Sequence, residues 1–315
     1  MAISIVLDIG GTSIKLALAS HGQLLAQDKI EVSDSSLLQP LLKVISVRVS
    51  HMMSEADVVQ SQLTGIGFAF PCIIDHHKGK ILSDYVKYTD AQALDLQAWA
   101  QQQWSIPAIL ENDARAALVG EWQYGKGQGV DNLVQMTFGT GIGTAVLIDG
   151  HVLRGSHSLA GNLGGHVTLD LHGDVCNCGN IGCVEAVAST WALPQMLKRH
   201  KDHTNSDLFK ESDLSYRSVF ALASQGDRLA TLIRDESVKA WGLAMVNMVH
   251  SFDPEKVILS GGLMRSSEEM LPTFQAMLNQ HTWLPSRGNV EVVLAENGET
   301  AALLGMDYLV QNRQA

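Results

Sequence analysis

Three of the chain's four cysteines fall within eight residues, as Cys176-x-Cys178-x4-Cys183 inside "HVTLDLHGDVCNCGNIGCVE" (166–185). Three thiolates on a tight glycine-rich loop, completed by an imidazole, form the donor set of a tetrahedral zinc site. A redox pair would need Cys-x-x-Cys at a helix start, and the spacing here is different. Four protein ligands leave no open position for water, so the site reads as structural zinc. His157, His166 and His172 all lie close enough in sequence to supply the fourth donor. Cys72, alone in an apolar stretch, reads as a packed small hydrophobe.

A second chemistry is written in glycine. "DIGGTSIK" (8–15) puts Asp8 at a strand end, then Gly10, Gly11 and Thr12 in a tight turn. Glycines let backbone N–H groups approach a phosphate closely, and a Thr hydroxyl can add a donor. "TFGTGIG" (137–143), with Thr137, Gly139, Thr140 and Gly141, offers another such turn. A strand follows it, so it is not the dinucleotide fingerprint, which opens a helix. "LSGGLM" (259–264) gives a third strand-end pair, Gly261 and Gly262, where a nucleotide base or ribose could pass close to backbone. "ILENDARAAL" (109–118) ends a strand in three polar groups before a helix. Asn112 or Asp113 could be simply the helix N-cap, or Asp113 could take a proton from a substrate hydroxyl.

The elements that must position these residues repeat. Segments 3–32 and 132–155 each read as strand, Gly-rich turn, strand, short polar turn, strand, which implies a duplicated lobe. Helical apolar spacing covers 36–56, 94–104, 186–200, 216–224, 227–251, 267–281 and 299–311. Strands are predicted at 63–75, 107–113, 256–262 and 290–296. The lobes are expected to be 1–112 plus 300–315, and 113–299 carrying the cysteine loop. With 315 residues, two lobes are the natural prior. A net charge of −11 without Lys/Arg clusters argues against nucleic-acid binding. No basic leader segment or membrane-length apolar run is visible, so the protein is expected to be cytoplasmic.

Taken together, "DIGGTSIK", "ENDARAA", "TFGTGIG", "GGHVTLDLHGDVCNCGNIGCVEAVAST" and "LSGGL" resemble the ROK family of sugar kinases and sugar-responsive repressors. The resemblance runs nearly end to end. It implies an α/β, two-lobed, actin-like ATPase (ribonuclease H-like) fold with an interlobe cleft, ATP and Mg²⁺ as cofactors, and a homodimer. His166, ten residues before the first cysteine, becomes the implied zinc ligand beside Cys176, Cys178 and Cys183, and also touches the sugar. Glu185, Asn112 and Asp113 correspond to sugar-binding residues, with Asp113 as general base toward a hexose or N-acetylhexosamine hydroxyl, usually the 6-hydroxyl. Asp8 would organise Mg²⁺. Turns 10–12 and 139–141, with Lys15, Thr137 and Thr140, would hold phosphates, and Gly261 and Gly262 would border the adenosine. Lobe closure around substrate is part of the expected cycle.

The chain departs from the family pattern in "AGNLGGH" (160–166), where Ala-Gly-Glu-x-Gly-His is usual. Asn162 stands at the glutamate position and one glycine is added. "FPCIID" replaces a common Pro-Gly, and "VKYTDAQALDLQAW" lacks a Pro-Gly-Trp, so substrate identity is not carried over from glucokinases. The alternative reading is a catalytically impaired sugar-binding or regulatory member. The phosphate turn at residue 8 is read as leaving no room ahead of it for a DNA-binding domain.

Overall fold

β1 (Ile3–Ile9) is apolar on both faces because it lies in the middle of a five-stranded sheet covered on each side. It runs antiparallel to β2 (Ser13–Ser20), which pairs with the edge strand β3 (Gln23–Glu31). β3 alternates exposed and half-buried residues, as one-sided packing requires. On its other side β1 pairs in parallel with β4 (Leu63–Phe70). The hairpin β5 (Ile74–Asp75) and β6 (Lys80–Ile81) then leads to β7 (Ala108–Asn112), parallel to β4. The computed structural model describes residues 1–32, 37–85, 87–200, 205–266, 270–283 and 289–313. Residue 36 of the first predicted helix and residues 267–269 of the sixth lie outside these.

The two faces of this sheet carry different side chains. Ile3, Ile5, Leu7 and Ile9 point into one core with α1 (Leu38–Glu55) and α2 (Leu96–Trp104). Val6, Ala17, Ala19 and Ala69 meet α3 (Asp113–Tyr124) and the C-terminal helix Ala301–Gln311. Small residues dominate the second face because helix backbone comes close there. A Cβ on Gly305 would strike the Ala116 carbonyl, and one on Gly120 would strike the Ala301 carbonyl. Buried Asp307 ties that helix to the sheet, accepting from Ser4 Oγ at 2.5 Å and from Gly22 N at 2.7 Å.

The second sheet has the same plan. β8 (Leu133–Phe138) runs antiparallel to β9 (Ile142–Ile148), which neighbours β10 (His151–Val152). β8 is parallel to β11 (Lys256–Ser260), which is parallel to β12 (Glu291–Leu294). Strand orders β3-β2-β1-β4-β7 and β10-β9-β8-β11-β12 correspond position by position, so the repeated layout expected from the sequence is present. Helices α4 (Val184–Ala188), α5 (Leu193–Arg199), α6 (Tyr216–Ser224), α7 (Arg228–Phe252) and α8 (Leu271–His281) accompany this sheet. Trp241 of α7 anchors them, its ring 5.5 Å from Phe138 and 4.9 Å from Tyr216.

The chain divides into two compact units, Met1–Gly129 with Val152–Ala160 and Glu296–Ala315, and Val130–His151 with Gly161–Ala295. The first unit thus continues past Asn112 through α3, because α3 packs on the C-terminal helix. The predicted helix 186–200 is interrupted at Ser189, where the backbone turns extended.

Candidate active site and metal centre

In the first unit, register fixes who stands beside whom. Asp8 pairs with Ala69, Ala69 with Glu111, and Phe70 with Asn112. Asp8, Asn112 and Asp113 therefore gather at the carboxyl ends of parallel strands, where α/β sheets bind ligands. Lys15 sits opposite Asp8 on β2, its Nζ 3.6 Å from Asp8 Oδ2 and 3.4 Å from Glu299 Oε2. Burial raises the Asp8 carboxyl above its ordinary value, and the Lys15 ammonium opposes that rise. Between them the turn closes by Gly10 N donating to Ser13 O at 3.0 Å, and the Tyr88 hydroxyl donates to Gly10 O at 2.7 Å. A Cβ on Gly11 would meet the Tyr85 hydroxyl, while Thr12 is exposed at the tip.

At 112–113 the helix cap and the neighbouring carboxylate are separate groups. Asn112 Oδ1 accepts from Arg115 N at 3.2 Å and caps α3. Its Nδ2 donates to Cys72 O at 3.2 Å and to Asp113 Oδ1 at 3.0 Å. Asp113 Oδ1 also accepts from Ala114 N at 2.8 Å. Burial, then the nearby Asp8 charge, pushes the Asp113 carboxyl up to about 7. Behind this pair, buried Glu111 accepts from Arg154 Nε at 3.0 Å and from Asn112 N at 2.9 Å. Arg115 Nη2 donates to the carbonyls of Ser158 and Ala160. Cys72 is buried as expected, but it also lies near Asp113. Burial first, with the Asp113 charge contributing, lifts its thiol to about 11.

In the second unit the turn between β8 and β9 repeats the motif with an exposed Thr140 at its tip. Gly139 N donates to Gly141 O at 3.0 Å. Thr137 Oγ1 lies 2.8 Å from Ser260 Oγ, below the turn. Gly261 adopts φ +97°, and a Cβ there would strike Phe138 backbone, so only glycine fits; the Cβ direction at Gly262 is open.

The cysteine loop brings His166, Cys176, Cys178 and Cys183 together, with one ligand atom from each all within 4.8 Å of one another. Cys178 Sγ to Cys183 Sγ is 3.7 Å and Cys176 Sγ to His166 Nδ1 is 3.6 Å. A tetrahedral zinc with bonds near 2.3 Å requires sulfur pairs about 3.8 Å apart, so the donors fit. Burial and the neighbouring thiols push Cys183 up to about 12, which a dication would reverse. The loop is closed by Cys176 N to Asn180 O at 2.8 Å and by Gly182, whose φ is +62°. His157 and His172 are not in the cluster.

Upstream, the two adjacent glycines have a steric reason. Gly164 and Gly165 press against β9, where a Cβ would meet Thr144 and the Ile142 carbonyl. Asn162 Nδ2 donates to Thr144 O at 2.9 Å, a bond no carboxylate can make. Glu185 Oε2 accepts from Ile142 N at 3.0 Å and its Oε1 from Trp191 Nε1 at 3.3 Å, so this carboxylate touches the turn between β8 and β9. Sequence reasoning missed Tyr85, Glu299, Thr190 and Trp191, because residue type and spacing carry no signal for contacts made across the fold.

The sequence pattern of the ROK family matches residues 4–313. Over 313 residues the chain is 32% identical to a glucokinase of Thermotoga maritima, covering 97% of this chain and 96% of that one. It is also 26% identical to a xylose repressor of Caldicellulosiruptor bescii, covering 96% of this chain and 77% of the repressor. A ROK family glucokinase from Streptomyces griseus, solved in complex with glucose and AMPPNP, superposes with a TM-score of 0.76 at 25% identity, covering 98% and 99% of the two chains. With glycine turns, strand-end carboxylates and a Cys3His cluster in one such chain, the protein belongs to the ROK family, on the actin-like ATPase fold.

Proposed function

We propose that this protein is an ATP-dependent sugar kinase that transfers the γ-phosphoryl group to a hydroxyl of a hexose or N-acetylhexosamine, at the 6-position. The observation that carries the reading is Asp113. It sits at a strand end beside Asp8, with a carboxyl whose affinity for a proton suits accepting one from an alcohol near neutral pH. Asn112, Asn162, His166 and Glu185 hold the sugar's other hydroxyls. Asp113 takes the proton as the hydroxyl oxygen approaches phosphorus in line with the leaving β-phosphate oxygen. Turns 10–12 and 139–141 offer backbone donors to the phosphates, Lys15 and Thr12 lie beside the first, and Gly261 and Gly262 line the adenosine. Asp8 would hold Mg²⁺ through its waters, and that cation, when bound, neutralises the triphosphate. His166, Cys176, Cys178 and Cys183 would hold zinc, whose contribution is to fix the loop and with it the His166 ring.

A regulator that binds sugar without turning it over is the second reading, favoured by the repressor among the relatives. Asp8, Asp113 and both glycine turns in place support the enzyme. Purified protein supplied with MgATP and a broad hexose panel is expected to release ADP with at least one sugar. Asp113→Ala lowers that rate by at least about 10²-fold with an unchanged circular dichroism spectrum. No sugar-dependent ADP across the panel, with sugar binding intact, would decide for the regulator.

A further inference from the structure

The turn Gly139–Ile142 is held from behind by a segment to which the site assigns no role. After α4 the backbone turns extended at Ser189 (φ −114°, ψ 168°) and brings the next two residues under the turn. Thr190 Oγ1 donates to Gly139 O at 2.8 Å, and Trp191 N donates to Thr140 O at 3.2 Å. Trp191 Nε1 also steadies Glu185, whose other oxygen accepts from Ile142 N. Gly141 lies flush on that carboxylate, with room for no Cβ.

Peptide planarity gives these bonds a direction. In a trans peptide the C=O and the following N–H point oppositely. Tying the Gly139 carbonyl toward Thr190 turns the Thr140 N–H the other way, and tying the Thr140 carbonyl toward Trp191 does the same to the Gly141 N–H. Two successive donors are thereby aimed at the side opposite the segment, the arrangement an anion needs. We propose that Thr190 and Trp191 are positioning residues that preset the second glycine turn for the nucleotide's phosphates, acting on its carbonyls and, through Glu185, on Ile142. The anion's identity rests on the kinase reading. The clamp itself does not.

The test uses the full chain with zinc, a non-hydrolysable MgATP analogue titrated by calorimetry, and KM measured separately for MgATP and sugar. Thr190→Val keeps the shape and loses the donor. It is expected to weaken the analogue by about three- to tenfold and to raise KM for MgATP in step, with the sugar KM changing less than about twofold. Thr190→Ser restores both. Trp191→Phe, which removes the indole donor to Glu185 and retains the backbone bond, weakens the analogue and raises KM for MgATP in the same direction. It raises the sugar KM as well, because Glu185 also faces the sugar, and serves as the nucleotide readout if valine at 190 impairs folding. Wild-type nucleotide affinity in Thr190→Val and Trp191→Phe, or a loss that Thr190→Ser does not rescue, would overturn the clamp. Nucleotide weakened by Thr190→Val in a protein that phosphorylates no sugar would uphold the clamp and sink the kinase reading.

Discussion

Asp113 sets how the protein should respond to acidity. Only the ionised carboxylate can accept a proton, and burial with Asp8 nearby places its titration at about 7. We expect kcat/KM for sugar to rise with pH through about 7 and level off above it. An inflection at pH 4–5 would mean that Asp113 is solvated during turnover. Stability follows the opposite course. The unfolded carboxyl ionises near its ordinary value of 3.8, so between about pH 4 and 7 the unfolded chain gives up its proton first and is favoured. The cost of burying the charge is complete above pH 7. Asp113→Asn should therefore raise Tm at pH 8, by about 2–4 °C per kcal/mol relieved, and leave it unchanged at pH 4. At this scale the acids, glycines and cysteines were legible because each group is contiguous in sequence. Lys15 with Glu299 and Glu111 with Arg154 were not, since 284 and 43 residues separate the partners.

The cysteine loop is the element whose construction is most exposed to test. Cys176 and Cys183 are buried while Cys178 is exposed, so a substitution at Cys178 removes a donor and leaves the packing of the other two. Wild-type protein should carry about one zinc per chain by atomic absorption. Cys178→Ser should fall well below that and lose sugar affinity. Full zinc content with unaltered sugar affinity in the variant would remove the loop from the site. The neighbouring helices show where sequence reading ran out. Apolar spacing runs on through "VEAVASTWALPQMLKR" (184–199) as if one helix. The break at Ser189 accompanies partners elsewhere, with Trp241 Nε1 donating to Ala188 O at 2.6 Å and the Thr140 carbonyl taking the Trp191 N–H, and Pro194, in the first turn of the next helix, could not continue the first. Spacing reports which faces are apolar, and cannot register a backbone drawn off by distant donors.

For the molecule as a whole, the duplicated strand order was readable because both copies keep the same strand–turn–strand punctuation, while the return of the last helix was readable only as a weak expectation. That return has a measurable effect. The first unit takes one face of its core from Ala302, Leu303 and Met306. Burying a side chain as large as Leu or Met contributes about 1.5–3 kcal/mol, against the roughly 5–15 kcal/mol by which a domain is stable. Residues 1–129 expressed alone should therefore show no cooperative melt, although they contain every strand of their sheet. A sharp transition in that fragment would show the helix to be dispensable. Among the described residues no helix is long and apolar enough to cross a membrane.

The hydrogen bond from Asn162 to the Thr144 carbonyl also limits how this site could have changed over generations. Exchange for a carboxylate puts two acceptors face to face, so the ancestral or descendant form with an acid there must recruit a new donor for Thr144, or move the segment off β9, where Gly164 and Gly165 now hold it without side chains.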